Sequence, residues 1–407
     1  MKPKTLKLKP YARLLTMLGD QLIKNERVAL GEIIKNAYDA DASWVKLTFE
    51  GFDENFGQTA ASKIIIEDNG FGMTQDIIEN HWVNPATPSK LIGKQKKNTT
   101  PKGRVIQGEK GIGRFALLKL GRKIDITTRA KGRSNELELT LDVSAFTPDF
   151  IPKGGKPMFL DELQVVLRDV SPAKKIRAET VKLGARRLKR LPQGTRIEIS
   201  HLTSTWSAAK VEMIFNDMAR LQSIFLPEVK AKQLSAGFEL AIYRDDVYQE
   251  FATDYRDQLD RLVHQNSVLQ IENGRFDPVT RTISFDMGKE HRKFSLDDPE
   301  LKGLKVYRDY LTRGGASQSL GQKTGAFDFA FYVFDFSTDA KGKFELDKDE
   351  RKLIKEHRVY LYRDGIRVYP YGDKDDDWLG TDMTRGLIRA SAFLSNDQVV
   401  GYVNISQ

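Results

Sequence analysis

Three short segments in fixed order constrain this chain more than any other feature. The first is Glu32-Ile33-Ile34-Lys35-Asn36-Ala37-Tyr38-Asp39-Ala40 and the second is Glu67-Asp68-Asn69-Gly70-Phe71-Gly72-Met73. The third is Gly108-Glu109-Lys110-Gly111-Ile112-Gly113-Arg114-Phe115. Together they describe the walls of one nucleotide pocket. Residues 28–40 place Val28, Ala29, Leu30, Ile33, Ile34 and Ala37 at helical spacing, which predicts a helix with one apolar stripe. Glu32, Asn36 and Asp39 then project from a common face. The carboxamide of Asn36 can offer its oxygen to magnesium, a hard ion that keeps several of its waters. Glu32, one turn earlier, can orient and deprotonate the water that attacks a γ-phosphate.

The β-branched run Lys63-Ile64-Ile65-Ile66-Glu67 predicts a buried strand that delivers Asp68 to its end. Gly70 and Gly72 permit a sharp turn beside a ligand. A carboxylate held there, next to an apolar pocket, can accept a hydrogen bond from the exocyclic amine of adenine; guanine presents no amine in that place. Gly108 to Gly113 is a glycine-rich stretch running into a helix with Phe115, Leu117, Leu118 and Leu120 as apolar positions. Such a segment offers backbone N–H groups and a positive dipole end to phosphate. It has neither the Gly-Lys-Ser/Thr of a Walker loop nor the surroundings of a dinucleotide fingerprint. Between the second and third segments, Thr87-Pro88-Ser89-Lys90 is followed by Lys94, Lys96, Lys97, Lys102 and Arg104 with few apolar residues. A long polar loop in that position is expected to be a lid.

With Leu191-Pro192-Gln193-Gly194-Thr195-Arg196-Ile197-Glu198-Ile199 as a fourth motif, the set resembles the GHKL ATPase superfamily. That group includes type II DNA topoisomerase B subunits, heat-shock chaperones, histidine kinases and MutL. The resemblance implies ATP and Mg2+ as ligands, with Glu32 as general base and Asn36 as magnesium ligand. It implies Asp68 as adenine reader, flanked by Gly70, Gly72 and Thr195, and Gly108, Gly111, Ile112 and Gly113 as phosphate-binding backbone. Asp39, Met73, Lys110 and Arg114 fall within the same motifs and enter the implied nucleotide contacts. Ser89 and Lys90 resemble the Thr-Ser-Lys element of the MutL lid, with Pro88 inserted.

The implied fold is α+β: a Bergerat-type ATP-binding α/β sandwich followed by a transducer-like α+β domain. The expected boundaries are an N-terminal arm and helix over 1–27, the ATPase domain over 28–228 with its lid at about 84–113, and the transducer-like domain over 229–407. A helix over 207–225 is expected to close the first domain. No histidine precedes the first motif in this sequence, so the phospho-accepting hairpin of histidine kinases is not expected. The second half instead carries Val359 to Tyr369, a hairpin pattern around Asp364-Gly365. A strand over 399–405 follows, and Phe327 to Phe336 has the aromatic character of a central strand. The stretch from 245 to 305 yields no assignment. This order resembles MORC- and MutL-type ATPases, whose transducer reaches back to the γ-phosphate with one basic residue. Lys374 is the first candidate for that residue and Arg385 the second. The end of the chain directly after a strand suggests a natural minimal ATPase or a shortened form of a longer one.

Zero cysteines remove disulfides, thiol catalysis and cysteine-held metal, and five scattered histidines suggest no metal cluster. Cytoplasm follows as the default compartment. No apolar run is long enough to span a membrane. The net charge of +9 is uneven. Lys174, Lys175, Arg177, Lys182, Arg186, Arg187, Lys189 and Arg190 stand against the single acid Glu179. On a helical wheel they cover more than one face; the alternative is a solvated insertion between two strands. Such a patch points to non-specific DNA binding, above all through Lys174, Lys175, Arg186, Arg187, Lys189 and Arg190. The expected activity is that of an ATP-dependent homodimeric clamp or switch, with DNA or an effector protein as partner. A nucleotide-sensing scaffold and a protein-remodelling chaperone are the alternatives.

Overall fold

In a computed structural model the chain forms two compact units: Met1–Ala219 with Ala236–Phe251, and Arg220–Ser235 with Ala252–Gln407. The structure describes residues 9–15, 17, 23, 25–84, 99–104, 106, 113–146, 155–184, 186–219, 238–250, 254–304, 308, 325–337, 340–363, 366–368, 371–387 and 394–405.

Helix α1 (Glu26–Asp39) is started by Asn25, whose side-chain oxygen accepts from the Val28 amide at 3.0 Å. Its apolar stripe, Ala29, Leu30, Ile33, Ile34, Ala37 and Tyr38, is buried. The less buried side carries Glu32, Lys35, Asn36 and Asp39. Strands β1 (Trp44–Phe52) and β2 (Gln58–Asp68) then pair antiparallel, with Ile64, Ile65 and Ile66 in the core. Helix α2 (Gly113–Leu120) packs against α1 and runs directly into β3 (Gly121–Arg129). Next come β4 (Glu136–Asp142), β5 (Val166–Val170), β6 (Glu179–Leu183), β7 (Arg186–Arg190), β8 (Gly194–Leu202) and helix α3 (Ala208–Ala219). Strands β9 (Glu239–Arg244) and β10 (Val247–Tyr248) complete the unit.

The main sheet has the order β10-β9-β1-β2-β8-β3-β4-β5. Among the described residues its one parallel pairing joins β9 to β1, and the segment after residue 228 contributes strands to the first sheet as well as to the second unit. The basic stretch over 174–190 is not helical. It contains an antiparallel hairpin, β6 on β7, with period-two alternation: Val181, Leu183 and Leu188 pack against Trp44, Ala241, Tyr243 and Tyr248.

The second unit is built on a sheet in the order β13-β12-β11-β14-β17-β15-β16. After helix α4 (Asp254–Gln265), the stretch that yielded no assignment folds as a meander of β11 (Leu269–Asp277), β12 (Thr282–Met287) and β13 (Glu290–Ser295). The aromatic strand β14 (Phe327–Val333) is central. Helix α5 (Lys348–Lys355) precedes the hairpin of β15 (Val359–Arg363) and β16 (Ile366–Arg367). Helix α6 (Thr381–Leu387) follows, and β17 (Val399–Ile405) lies between β14 and β15, parallel to β15. One face of the sheet buries Leu259, Leu262, Val263, Tyr332, Phe334, Ile354, Tyr360 and Tyr402 in a single cluster. Phe329, Val359 and Val403 form another, with Phe331 and Trp378 packed against them.

Candidate nucleotide site

Strand register assembles the constellation expected to face adenine. Asp68 at the end of β2 lies opposite Thr195 on β8, and Thr195 lies opposite Thr128 on β3. Three residues distant in sequence thus meet at one end of three adjacent strands. The hydroxyls of Thr128 and Thr195 are 3.2 Å apart, and the Met73 amide donates to Thr128 Oγ1 at 2.8 Å. Thr128 was not singled out from the sequence, because only its pairing with β8 brings it here. Met73, Thr128, Ala130 and Leu137 line a cavity of about 230 Å³ on this side.

Asp68 is 8% exposed, and Gly70 N–H donates to its Oδ1 at 2.8 Å. Burial raises its pKa to about 6, against the opposing pull of the Gly70 amide, the Arg190 charge and the Thr195 amide. Near neutral pH the group is therefore mostly an ionised acceptor in a largely dry site. The glycines give the backbone its close approaches. Gly72 has φ +66°, and a Cβ there would run into the carbonyl of Arg129. Gly194 has φ +128° and lies against the carbonyl of Asp68 in the same way.

The first and second motifs are joined at the turn that ends α1. The Phe71 amide donates to the Ala40 carbonyl at 2.8 Å. Asn69 Oδ1 accepts from the amides of Ser43 at 2.8 Å and Trp44 at 3.2 Å, while its Nδ2 donates to Ser43 Oγ at 2.8 Å. Asp41, at φ 60° and 1% exposed, is the centre of a further set of bonds. Thr100 Oγ1 donates to its Oδ1 at 2.5 Å, the Lys102 amide donates to Oδ2 at 3.0 Å, and Lys102 Nζ donates to its carbonyl at 2.8 Å. Arg104 Nη1 donates to the carbonyls of Tyr38 at 3.2 Å and Ala42 at 2.6 Å, with its guanidinium 4.5 Å from the Tyr38 ring centre. Lys102 and Arg104, counted with the lid cations from sequence, are thus held against the end of α1. Asp41 carries no signal of this role in the sequence, since nothing in its neighbourhood shows which distant residues reach it.

The remaining expected site residues fall into three groups. Glu32, half-buried on α1, accepts from Lys35 Nζ at 2.9 Å; Asn36 is exposed one turn on, and Asp39 is half-buried. Gly113 is the first residue of α2 and Arg114 follows it, whereas Ser89, Lys90, Gly108, Lys110, Gly111 and Ile112 lie outside the described residues. In the second unit, Lys374 is exposed with Nζ 4.0 Å from Glu356 Oε1. Arg367 is fully buried, pairing with Asp373 at 2.7 Å and lying 4.4 Å from the Tyr360 ring centre. Arg385 lines a cleft with Lys355 and Arg358.

The residues present fit magnesium-ATP. A buried carboxylate with paired hydroxyls stands at one end, glycines admit close backbone approach, and an exposed carboxamide follows a carboxylate on α1. No cluster of three or more metal-ligating side chains occurs among the described residues, which is compatible with an ion held by one protein oxygen and phosphate.

Comparison with known proteins agrees. Residues 24–153 match the family model described as histidine kinase-, DNA gyrase B-, and HSP90-like ATPase. The chain is similar to the chaperone protein HtpG of Bacillus velezensis, 32% identical over 130 residues that cover 30% of this chain and 21% of the relative. It is also similar to the HtpG of Shewanella sp. strain ANA-3, 29% identical over 171 residues covering 39% of this chain and 26% of the relative. The match therefore spans about a quarter or less of these relatives' length. Fold, site and comparisons together support a GHKL-type ATPase domain within this chain.

Folding keeps a proton on Asp68 that the unfolded chain, with the ordinary value of 3.8, releases sooner. Its contribution to stability thus falls as pH rises from about 4 to about 6, and above that range the ionised carboxyl is a net cost. Asp68→Asn should stabilise the nucleotide-free protein at pH 7.5 by about 1–3 kcal/mol, and by less at pH 4. The same variant should bind ATP about 10- to 100-fold more weakly, through loss of a hydrogen bond to a charged acceptor. Calorimetric unfolding at both pH values checks the first part and titration with ATP the second; a destabilised variant at pH 7.5 or unchanged affinity would contradict this assignment. Asp41→Asn, which tolerates the left-handed backbone, should raise the KM for ATP at least about fivefold while lowering saturated turnover less. Steady-state kinetics with an unchanged KM would show that this anchor does not act on the site.

Proposed function

We propose that this protein is a Mg-ATP-dependent ATPase that works as a conformational switch, an ATP-closed homodimeric clamp coupled to DNA handling. The observation that carries the ATPase reading is the register of Asp68, Thr195 and Thr128 beside the helix bearing Glu32 and Asn36. Asp68 accepts from the adenine amine, and Met73 and Thr128 border the cavity beside it. Asn36 offers its side-chain oxygen toward the magnesium. The ion, when bound with ATP, neutralises phosphate charge and makes the γ-phosphorus more open to attack. Glu32 orients the attacking water and takes its proton, while its Oε1 accepts from Lys35. Gly108, Lys110, Gly111, Ile112, Gly113 and Arg114 hold the phosphates, and Ser89 and Lys90 close over them.

Within the superfamily, the MORC- and MutL-like branch is favoured by a second unit whose sheet carries the hairpin and late strand expected from sequence. A protein-remodelling chaperone is the second reading, favoured by the similarity to HtpG. That similarity covers only 21% and 26% of two such relatives, and so bears on the shared ATPase more than on a client. A nucleotide-sensing scaffold is less well supported, because a sensor has no need of a base at Glu32.

Glu32→Ala should lower phosphate release about 100- to 10,000-fold while leaving ATP affinity nearly intact. Turnover at the wild-type rate in that variant would remove the mechanism. Stimulation of wild-type turnover by duplex DNA, set against stimulation by an unfolded polypeptide, separates the two partner readings.

A further inference from the structure

The β6–β7 hairpin divides its cations between two faces. Paired residues share a face, so Glu179, Val181, Leu183, Arg186, Leu188 and Arg190 lie on one side and Thr180, Lys182, Arg187 and Lys189 on the other. The first side is the packed one. Arg190, 3% exposed, reaches Glu67 at 3.4 Å and Glu179 at 3.3 Å, and Arg186 pairs with Glu239 at 2.7 Å. Lys175, just ahead of the hairpin, pairs with Glu138 at 3.2 Å. Three cations expected from sequence to meet DNA therefore already have acid partners.

The second side is different. Lys182, Arg187 and Lys189 are all exposed, and no described acid pairs with any of them. Lys182 stands directly opposite Arg187 across the strands, an arrangement of like charges that costs folding free energy. The platform beneath is firmly tied. The Tyr243 hydroxyl accepts from the Gly184 amide at 2.8 Å and donates to the Lys182 carbonyl at 3.0 Å, clamping the turn to the main sheet. Only Thr180 accompanies the cations, so this face has no aromatic ring for base stacking and no apolar ridge for a protein groove.

We infer that Lys182, Arg187 and Lys189 form a docking surface for the phosphate backbone of duplex nucleic acid. Successive phosphates would neutralise the crowded charges, and the absence of base-reading groups makes the contact independent of sequence. This rests on the DNA-handling arm of the proposed function and names the surface that serves it; it does not depend on the ATP chemistry.

The test is fluorescence anisotropy of a short labelled duplex across a series of salt concentrations, without nucleotide. Wild type is compared with the triple variant Lys182→Gln, Arg187→Gln, Lys189→Gln and with the control Lys175→Gln, Arg186→Gln. The triple variant should bind at least about tenfold more weakly at low salt, and its slope of log affinity against log salt should shrink by about 2.7, three phosphates at 0.9 each. The control should stay close to wild type, and DNA-independent ATP turnover should be unchanged in both. An unaltered slope in the triple variant, or an equal loss in the control, overturns the assignment. So does a wild type that binds poly-glutamate but not the duplex. Because Glu32-dependent phosphate release is measured without DNA, failure here is distinguishable from failure of the ATPase reading.

Discussion

The described part of the site depends on the buried carboxylate of Asp41. A carboxyl group placed at 1% exposure is costly unless it is bonded, and here a threonine hydroxyl and a backbone amide meet it. Both come from residues 100–102, the far end of the segment between the second and third motifs. The same turn receives Arg104, which contributes positive charge at a helix end whose own last turn contains no basic residue. It also receives the second motif, through Asn69 and the Phe71 amide. Glu32 and Asn36, Asp68, and the base of the polar segment are in this way fixed to one short stretch of chain.

The sheet supplies the other half. Placing β8 between β2 and β3 brings a Gly-Thr pair against an aspartate more than a hundred residues away. Gly194 tolerates the close approach to the Asp68 carbonyl that a side chain would prevent. The result is a carboxylate held dry enough for its pKa to rise, yet sufficiently bonded to remain an acceptor near neutral pH. Its environment suits one fixed hydrogen bond to a ligand rather than a solvated surface role.

Much of this was legible in the sequence, for identifiable reasons. The helix bearing Glu32 showed itself by its apolar stripe, the strand ending at Asp68 by its isoleucines, and the β15–β16 hairpin by Asp364-Gly365. What escaped was non-local. The pairing of β9 with β1 and the meeting of Thr128 with Thr195 depend on strand order, which no local pattern encodes. Asp41 looked like one more polar residue at a helix end. In the basic stretch Val181 and Leu183, then Leu188, alternate as strands do, a pattern that the cations between them obscure. That alternation distinguishes the cations bonded on the inner face from those presented to solvent.

The central claim is that the Asp68 end of the sheet reads adenine. The most direct measurement is equilibrium titration of the wild-type protein with ATP and with GTP in the presence of magnesium. A carboxylate acceptor facing the exocyclic amine should favour ATP by at least about tenfold, since guanine offers a carbonyl oxygen to the same charge. Equal affinity for the two nucleotides would contradict the assignment of Asp68 and the site built around it.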